Sequence, residues 1–255
     1  MCLIFISVND HPDYKLIVAA NRDEFYDRKT APVHQWKDHP EIIGGRDLEA
    51  GGTWLGVTKS GRISMVTNYR DLKNIRLDAP SRGELVTNFL LTEKHGQDYL
   101  RDLQPSAPLY NGFNLIVGIV DDLWYCSNFQ DGIEKLPPGQ HGLSNHLLNT
   151  PWPKVARGKE RFRNVLRTPF TAGDLFSLLL DDQIAADDQL PETGVGLERE
   201  RALSSMFIKS PGYGTRSSTV ILIDNKNNLV LTERVYDLTN FEFKENAFTF
   251  KIESL

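Results

Sequence analysis

Cys2-Leu3-Ile4-Phe5-Ile6-Ser7-Val8, Asn9-Asp10-His11-Pro12-Asp13, Tyr14-Lys15-Leu16-Ile17-Val18-Ala19-Ala20: the chain opens with two apolar runs around a segment of turn-forming residues. Each run has the length of a strand, and Asn, Asp and Pro between them favour a turn. The reading is an antiparallel hairpin. The pattern recurs three times: 53–58 and 62–68 around Lys59-Ser60-Gly61, 113–120 and 123–127 around Asp121-Asp122, and 218–223 and 229–235 around Asp224-Asn225-Lys226-Asn227-Asn228. Between the hairpins lie helix patterns. Ser81-Arg82-Gly83-Glu84 has the spacing of a capping box, followed by Leu85, Phe89 and Leu90 at helical intervals. Further helices are expected over 98–103, 153–167 and 171–180. Helices set among antiparallel strands give an α+β class or a layered sheet sandwich. Residues 181–200 are acidic and poor in core types, and read as a solvated loop, the alternative being a substrate lid.

Composition narrows the function. A chain of 255 residues suffices for one large domain or two small ones. A net charge of -5 argues against a general nucleic-acid binder. Two cysteines, Cys2 and Cys126, form no disulfide framework and no CxxC pair for zinc, which suits a reducing compartment. The start lacks a charged segment and a long apolar core of the secretory kind, and no apolar run reaches the ~18 residues of a membrane span. The expectation is a cytoplasmic protein with no membrane span. The histidine spacings His34-x4-His39 and His141-x4-His146 have no other clustered ligands, so no metal site is expected. The glycines around Arg46-Asp47 fit neither nucleotide-binding fingerprint. Lys154, Arg157, Lys159, Arg161, Arg163 and Arg167 read as a solvated basic helix face, with a phosphate or anionic-lipid site as the alternative.

Cys2 carries the sharpest chemical signal. Once Met1 is removed, as expected before a small side chain, Cys2 holds a thiol and a free α-amine on one carbon. An α-amine with a pKa of roughly 8 can act as general base for its own thiol. The competing reading is a buried strand residue, because free Cys packs like a small hydrophobe. Asn21-Arg22-Asp23-Glu24 follows the second run, as a surface turn or as something more. Antiparallel pairing of the first two strands brings Arg22 and Asp23 beside the thiol. Arg22 would then favour the thiolate, and Asp23 could hold the α-ammonium or orient Arg22. Cys126, flanked by Trp124 and Tyr125, reads as core.

Met1-Cys2-Leu3-Ile4, Ala19-Ala20-Asn21-Arg22-Asp23-Glu24-Phe25, Gly51-Gly52-Thr53-Trp54-Leu55-Gly56, Thr67-Asn68-Tyr69-Arg70, Ser81-Arg82-Gly83, Gly142-Leu143-Ser144-Asn145 and Gly214-Thr215-Arg216-Ser217-Ser218-Thr219 together resemble the NRDE family. That family includes the eukaryotic transport and Golgi organisation protein 2 and is related to the N-terminal nucleophile hydrolases. The resemblance runs over nearly the whole chain. It implies a single domain over 1–255, with an αββα four-layer sandwich of two antiparallel sheets. By resemblance to the cysteine branch of those hydrolases, Arg22 and Asp23 are the nearest counterparts of its Arg and Asp, although the spacing differs and Asn21 or Glu24 could hold one of the roles. Asn68 resembles the Asn near the nucleophile, and Asn145 the Asn whose amide helps form an oxyanion hole. Arg216 resembles the late-chain Arg of the same site. As alternatives, Asn68 and Asn145 are turn residues and Arg216 a surface residue.

Two functions of different class follow. The first is hydrolysis of an amide or related acyl bond of a small or lipid-like substrate through Cys2, with no cofactor required. The second is a non-enzymatic carrier of haem, lipid or acyl-CoA on the same fold, since members of the resembling family have been linked to haem mobilisation. No CxxCH or Cys-Pro haem mark is present, which leaves Cys2 or a histidine as the candidate iron ligand.

Overall fold

The structure, a computed structural model, describes residues 2–253. Fourteen strands and five helices are found among them: β1 (Cys2–Val8), β2 (Tyr14–Phe25), β3 (Thr30–Gln35), β4 (Ile42–Asp47), β5 (Leu55–Thr58), β6 (Arg62–Asn68), α1 (Arg82–Leu91), α2 (Gly96–Leu103), β7 (Phe113–Ile119), β8 (Asp122–Ser127), β9 (Gln130–Lys135), β10 (Gly139–Leu143), α3 (Pro153–Leu166), α4 (Ala172–Leu179), α5 (Leu197–Leu203), β11 (Lys209–Ser210), β12 (Tyr213–Asp224), β13 (Asn228–Tyr236) and β14 (Phe243–Lys251). One sheet has the order β10-β1-β2-β12-β13-β14, with β11 attached to β12. The other runs β3-β4-β5-β6-β7-β8-β9. Every pairing is antiparallel.

The four layers follow from where the side chains go. Along β1, Ile4, Ile6 and Val8 enter a core shared with Val57, Ile63, Met65 and Ile116 of the other sheet. Leu3 and Phe5 point the opposite way, into a core with Val155 and Phe162 of α3 and Leu175, Phe176 and Leu179 of α4. A third core packs Leu85, Phe89 and Leu90 of α1 and Leu100 of α2 against Leu115 and Val117 of β7. A strand covered on both faces needs apolar residues on both, and β1 is an unbroken apolar run for that reason. The result is helices, sheet, sheet, helices: an α+β sandwich of two antiparallel sheets, as expected. Among the described residues no helix is long and apolar enough to cross a membrane.

Several local expectations need correction. β2 does not end near Asn21 but continues to Phe25, so Asn21, Arg22 and Asp23 lie within the strand and are buried. Ser81 does cap α1, accepting from the Gly83 N–H, but the Glu84 carboxylate accepts instead from the Tyr110 hydroxyl at 2.5 Å, so the box does not close. Residues 181–200 are not simply a solvated loop. They carry the start of α5, and its Glu200 is buried. The basic face of α3 is solvated only in part, because Lys154 is 1% exposed. Its side chain lies four and eight residues before Gly158 and Phe162, on the stripe that packs against the sheet.

Candidate active site

β1 and β2 pair with Cys2 opposite Arg22, Leu3 opposite Asn21 and Ile4 opposite Ala20. Strand alternation then sorts the neighbourhood into two faces. Ile4 and Ala20 belong to the core between the sheets, and Cys2 and Arg22 share their parity. Asn21 and Asp23 take the opposite face, toward the helices.

Between the sheets, Cys2 opens on a cavity of about 10 Å³, roughly the room of one water. Its walls include Ile4, Ala20, Leu55, Val66 and Thr219, and Arg22 and Trp54 close it. The guanidinium carbon of Arg22 lies 4.0 Å from the centroid of the Trp54 ring. The Cys2 thiol is buried. Burial pushes its pKa up, and the Asp23 and Glu24 carboxylates add to that rise while Arg22 opposes it. The guanidinium acts in the expected direction, but desolvation is the larger effect. Cys126 is also buried, and burial pushes its thiol up to about 12.

Ile4 pairs with Leu143 at the end of β10, and Asn145 follows two residues further, in the bend after that strand. Asn145 is fully buried. Its Nδ2 donates to the main-chain oxygen of Asn68 at 3.1 Å, its Oδ1 accepts from Ser144 Oγ at 3.2 Å, and its main-chain oxygen accepts from Arg70 N at 2.8 Å. Asn68 and Asn145 are thus bonded to each other, linking the end of β6 to the end of β10. An amide has two N–H donors, so one on Nδ2 remains after the bond to Asn68.

Two other expected residues are spent on structure. Asn21 donates from Nδ2 to the main-chain oxygens of Leu179 and Met206, both at 2.9 Å, and accepts from Ser218 Oγ at 2.5 Å. It pins β2 to the end of α4. Arg216 sits where the β2–β12 register shifts and donates from Nη1 to the main-chain oxygens of Phe25 and Arg28, holding the turn after β2.

Asp23 leads to a buried charge cluster on the helix side that the sequence reading did not assemble. Asp23 Oδ1 accepts from Thr215 Oγ1 at 2.7 Å. Burial raises the Asp23 pKa, and Lys154 acts against that rise. Burial lowers Lys154 to about 8, with Asp23 opposing and Arg70 reinforcing the fall. Arg70 pairs with Glu200, Nη1 to Oε2 at 2.8 Å, and stacks 4.8 Å from the centroid of Trp152, two residues before Lys154. Glu200 Oε1 also accepts from the main-chain N and the hydroxyl of Thr193. The phenol of Tyr213 is buried as well, and burial holds it well above its ordinary pKa. Charge at a buried helix position is the one signal that could have revealed Lys154: it continues the stripe of Val155, Gly158 and Phe162. Among the described residues no group of three or more His, Cys, Asp or Glu side chains is placed to hold a metal ion.

Comparison with known proteins bears on the fold and the family. The Caenorhabditis elegans N-acylethanolamine-hydrolyzing acid amidase ortholog superposes with a TM-score of 0.51 at 10% identity, over 87% of this chain and 92% of that one, and shares the fold. The human transport and Golgi organization protein 2 homolog is 36% identical over 98% of this chain and 99% of its own length. The Drosophila melanogaster transport and Golgi organization protein 2 is 29% identical over 91% of each. The family model described as Transport and Golgi organisation 2 matches residues 1–238. The chain belongs to the Transport and Golgi organisation 2 family, on the fold of the N-terminal nucleophile hydrolases.

Proposed function

We propose that the protein is a cysteine hydrolase that cleaves an amide or other acyl bond of a small or lipid-like substrate, with Cys2 as nucleophile. The observation that carries this reading is the placement of Cys2. It lies at the start of an inner strand of this fold, directly across from Arg22, at a cavity between the sheets with apolar walls. Fold alone does not fix function. The thiol, the cation opposite it and the buried amide of Asn145, two residues beyond the end of the neighbouring strand β10, are the added support.

The chemistry is acyl transfer. The Cys2 thiol loses its proton to the α-amine freed when Met1 is removed, and Met1 itself lies outside the described residues. Sulfur attacks the carbonyl carbon, and the free N–H of Asn145 Nδ2 is a candidate donor to the oxyanion. The C–N bond breaks, the amine leaves with the proton, and a thioester remains on Cys2. Water, deprotonated by the α-amine of Cys2, hydrolyses that thioester to the acid. Asp23, one residue beyond Arg22 on β2, stands near the start of β1 and balances the ammonium form of the amine.

Turnover of a panel of N-acyl amides and thioesters by wild type, Cys2→Ser and Cys126→Ser tests the reading. A loss of orders of magnitude in Cys2→Ser alone is expected, because a hydroxyl is a far weaker nucleophile at neutral pH. Equal turnover in all three would refute it. A chain that keeps Met1 and turns over no acyl substrate would fit a haem, lipid or acyl-CoA carrier instead.

A further inference from the structure

The cavity beside Cys2 has room for about one water, and Trp54 is the bulkiest side chain that lines it. Trp54 packs against the core between the sheets and against the core under α1. Its ring lies on Gly45, where a Cβ would come within 2.4 Å of Cη2 and Cζ2, so only glycine leaves room for the indole in this position. The Arg22 guanidinium carbon lies 4.0 Å from the centroid of the same ring. The main chain around the indole is held: Val66 N donates to Trp54 O at 2.9 Å and Thr53 N to Gly83 O at 3.3 Å. The indole, against Gly45 and under the Arg22 guanidinium, thus forms one wall of the cavity beside Cys2.

We infer that Trp54 is the specificity-determining residue of this site, its indole standing where a longer acyl chain would lie and so restricting Cys2 to short acyl groups. The inference rests on the reading of Cys2 as the nucleophile and names the substrate class of that site. Ile4, Ala20, Leu55 and Val66 supply the apolar part of the lining, and Arg22 and Thr219 its polar part.

The test separates the cavity from the chemistry. Iodoacetamide and N-decyl iodoacetamide share one reactive group and differ only in chain length. Their rates at Cys2 are measured by peptide mapping in wild type, Trp54→Ala and Trp54→Phe, with protection of Cys126 as the sign that each variant is folded. Wild type should favour the short reagent by at least about tenfold, the scale on which a pocket discriminates chain length. Trp54→Ala should remove most of that preference, and Trp54→Phe, which keeps a ring, should give an intermediate ratio. An unchanged ratio in Trp54→Ala, or equal rates of both reagents in wild type, would overturn the inference. The same variants are assayed on acyl amides of increasing chain length. Hydrolysis with an unchanged length profile in Trp54→Ala would sink this inference and leave the hydrolase reading standing. A shifted alkylation ratio with no hydrolysis by any variant would sink the hydrolase reading and leave the role of Trp54.

Discussion

Cys2 on β1 and Arg22 on β2 stand directly opposite each other in the antiparallel register. The guanidinium favours the thiolate, while burial pushes the thiol pKa up more strongly. Alkylation of Cys2 should therefore accelerate with pH beyond neutrality. Arg22→Met removes the favourable charge, raises the thiol pKa further and should slow alkylation at pH 7 about threefold to tenfold. Arg22→Lys should recover part of the rate. Rate against pH with peptide mapping decides this, and an unchanged profile in Arg22→Met would separate the guanidinium from the thiol.

Lys154 makes stability depend on pH. Its folded-state pKa is lowered to about 8 by burial, against an ordinary value of 10.5. Between those values the unfolded chain holds a proton that the folded chain lacks, so stability from this group rises as pH rises through the window. The gap corresponds to about 3 kcal/mol, with the groups acting on Lys154 being Asp23, Arg70, Cys2 and Glu200. Lys154→Met should abolish this rise. Urea unfolding at a series of pH values measures it; a variant that keeps the same slope would show that Lys154 stays charged in the fold.

The Arg70–Glu200 pair is buried on both sides. Removing one partner strands a charge in a low-dielectric site, at a cost of about 3–5 kcal/mol. Replacing both with apolar residues of similar size should cost much less. Urea midpoints of Arg70→Met, Glu200→Leu and the double variant test this, and additive losses in the double variant would deny the pair.

Gly158 marks the tightest approach of α3 to β1. A Cβ there would come 2.0 Å from Cζ of Phe5 and 2.8 Å from the sulfur of Met206. Gly158→Ala should destabilise by about 1–3 kcal/mol through overpacking despite its better helix propensity. A gain in thermal stability would show that α3 can move away from the sheet.

The first hairpin was legible because β1 is buried on both faces and carries a continuous apolar run. The edge strands were not. β9 reads Gln-Asp-Gly-Ile-Glu-Lys, with a polar composition that suits an exposed edge and hides the strand, and β3 contains Pro32. At the site, antiparallel logic alone brings Arg22 to Cys2. The cluster of Arg70, Lys154 and Glu200 was hidden for two reasons. Charged residues read as surface by default, and the Arg70–Glu200 bond spans 130 positions with no periodic signal. Arg216 and Asn21 matched motifs, yet the hydrogen bonds they donate go to main-chain oxygens, which no sequence pattern displays.

The central claim is that Cys2 forms a covalent acyl intermediate. The most direct measurement is acid quenching of the protein during reaction with a short N-acyl amide, followed by mass mapping of the adduct. The account predicts the acyl mass as a thioester on the peptide beginning with Cys2, with Met1 absent, and no adduct in Cys2→Ala. An acyl group on another residue, or product released by Cys2→Ala at the wild-type rate, would contradict it.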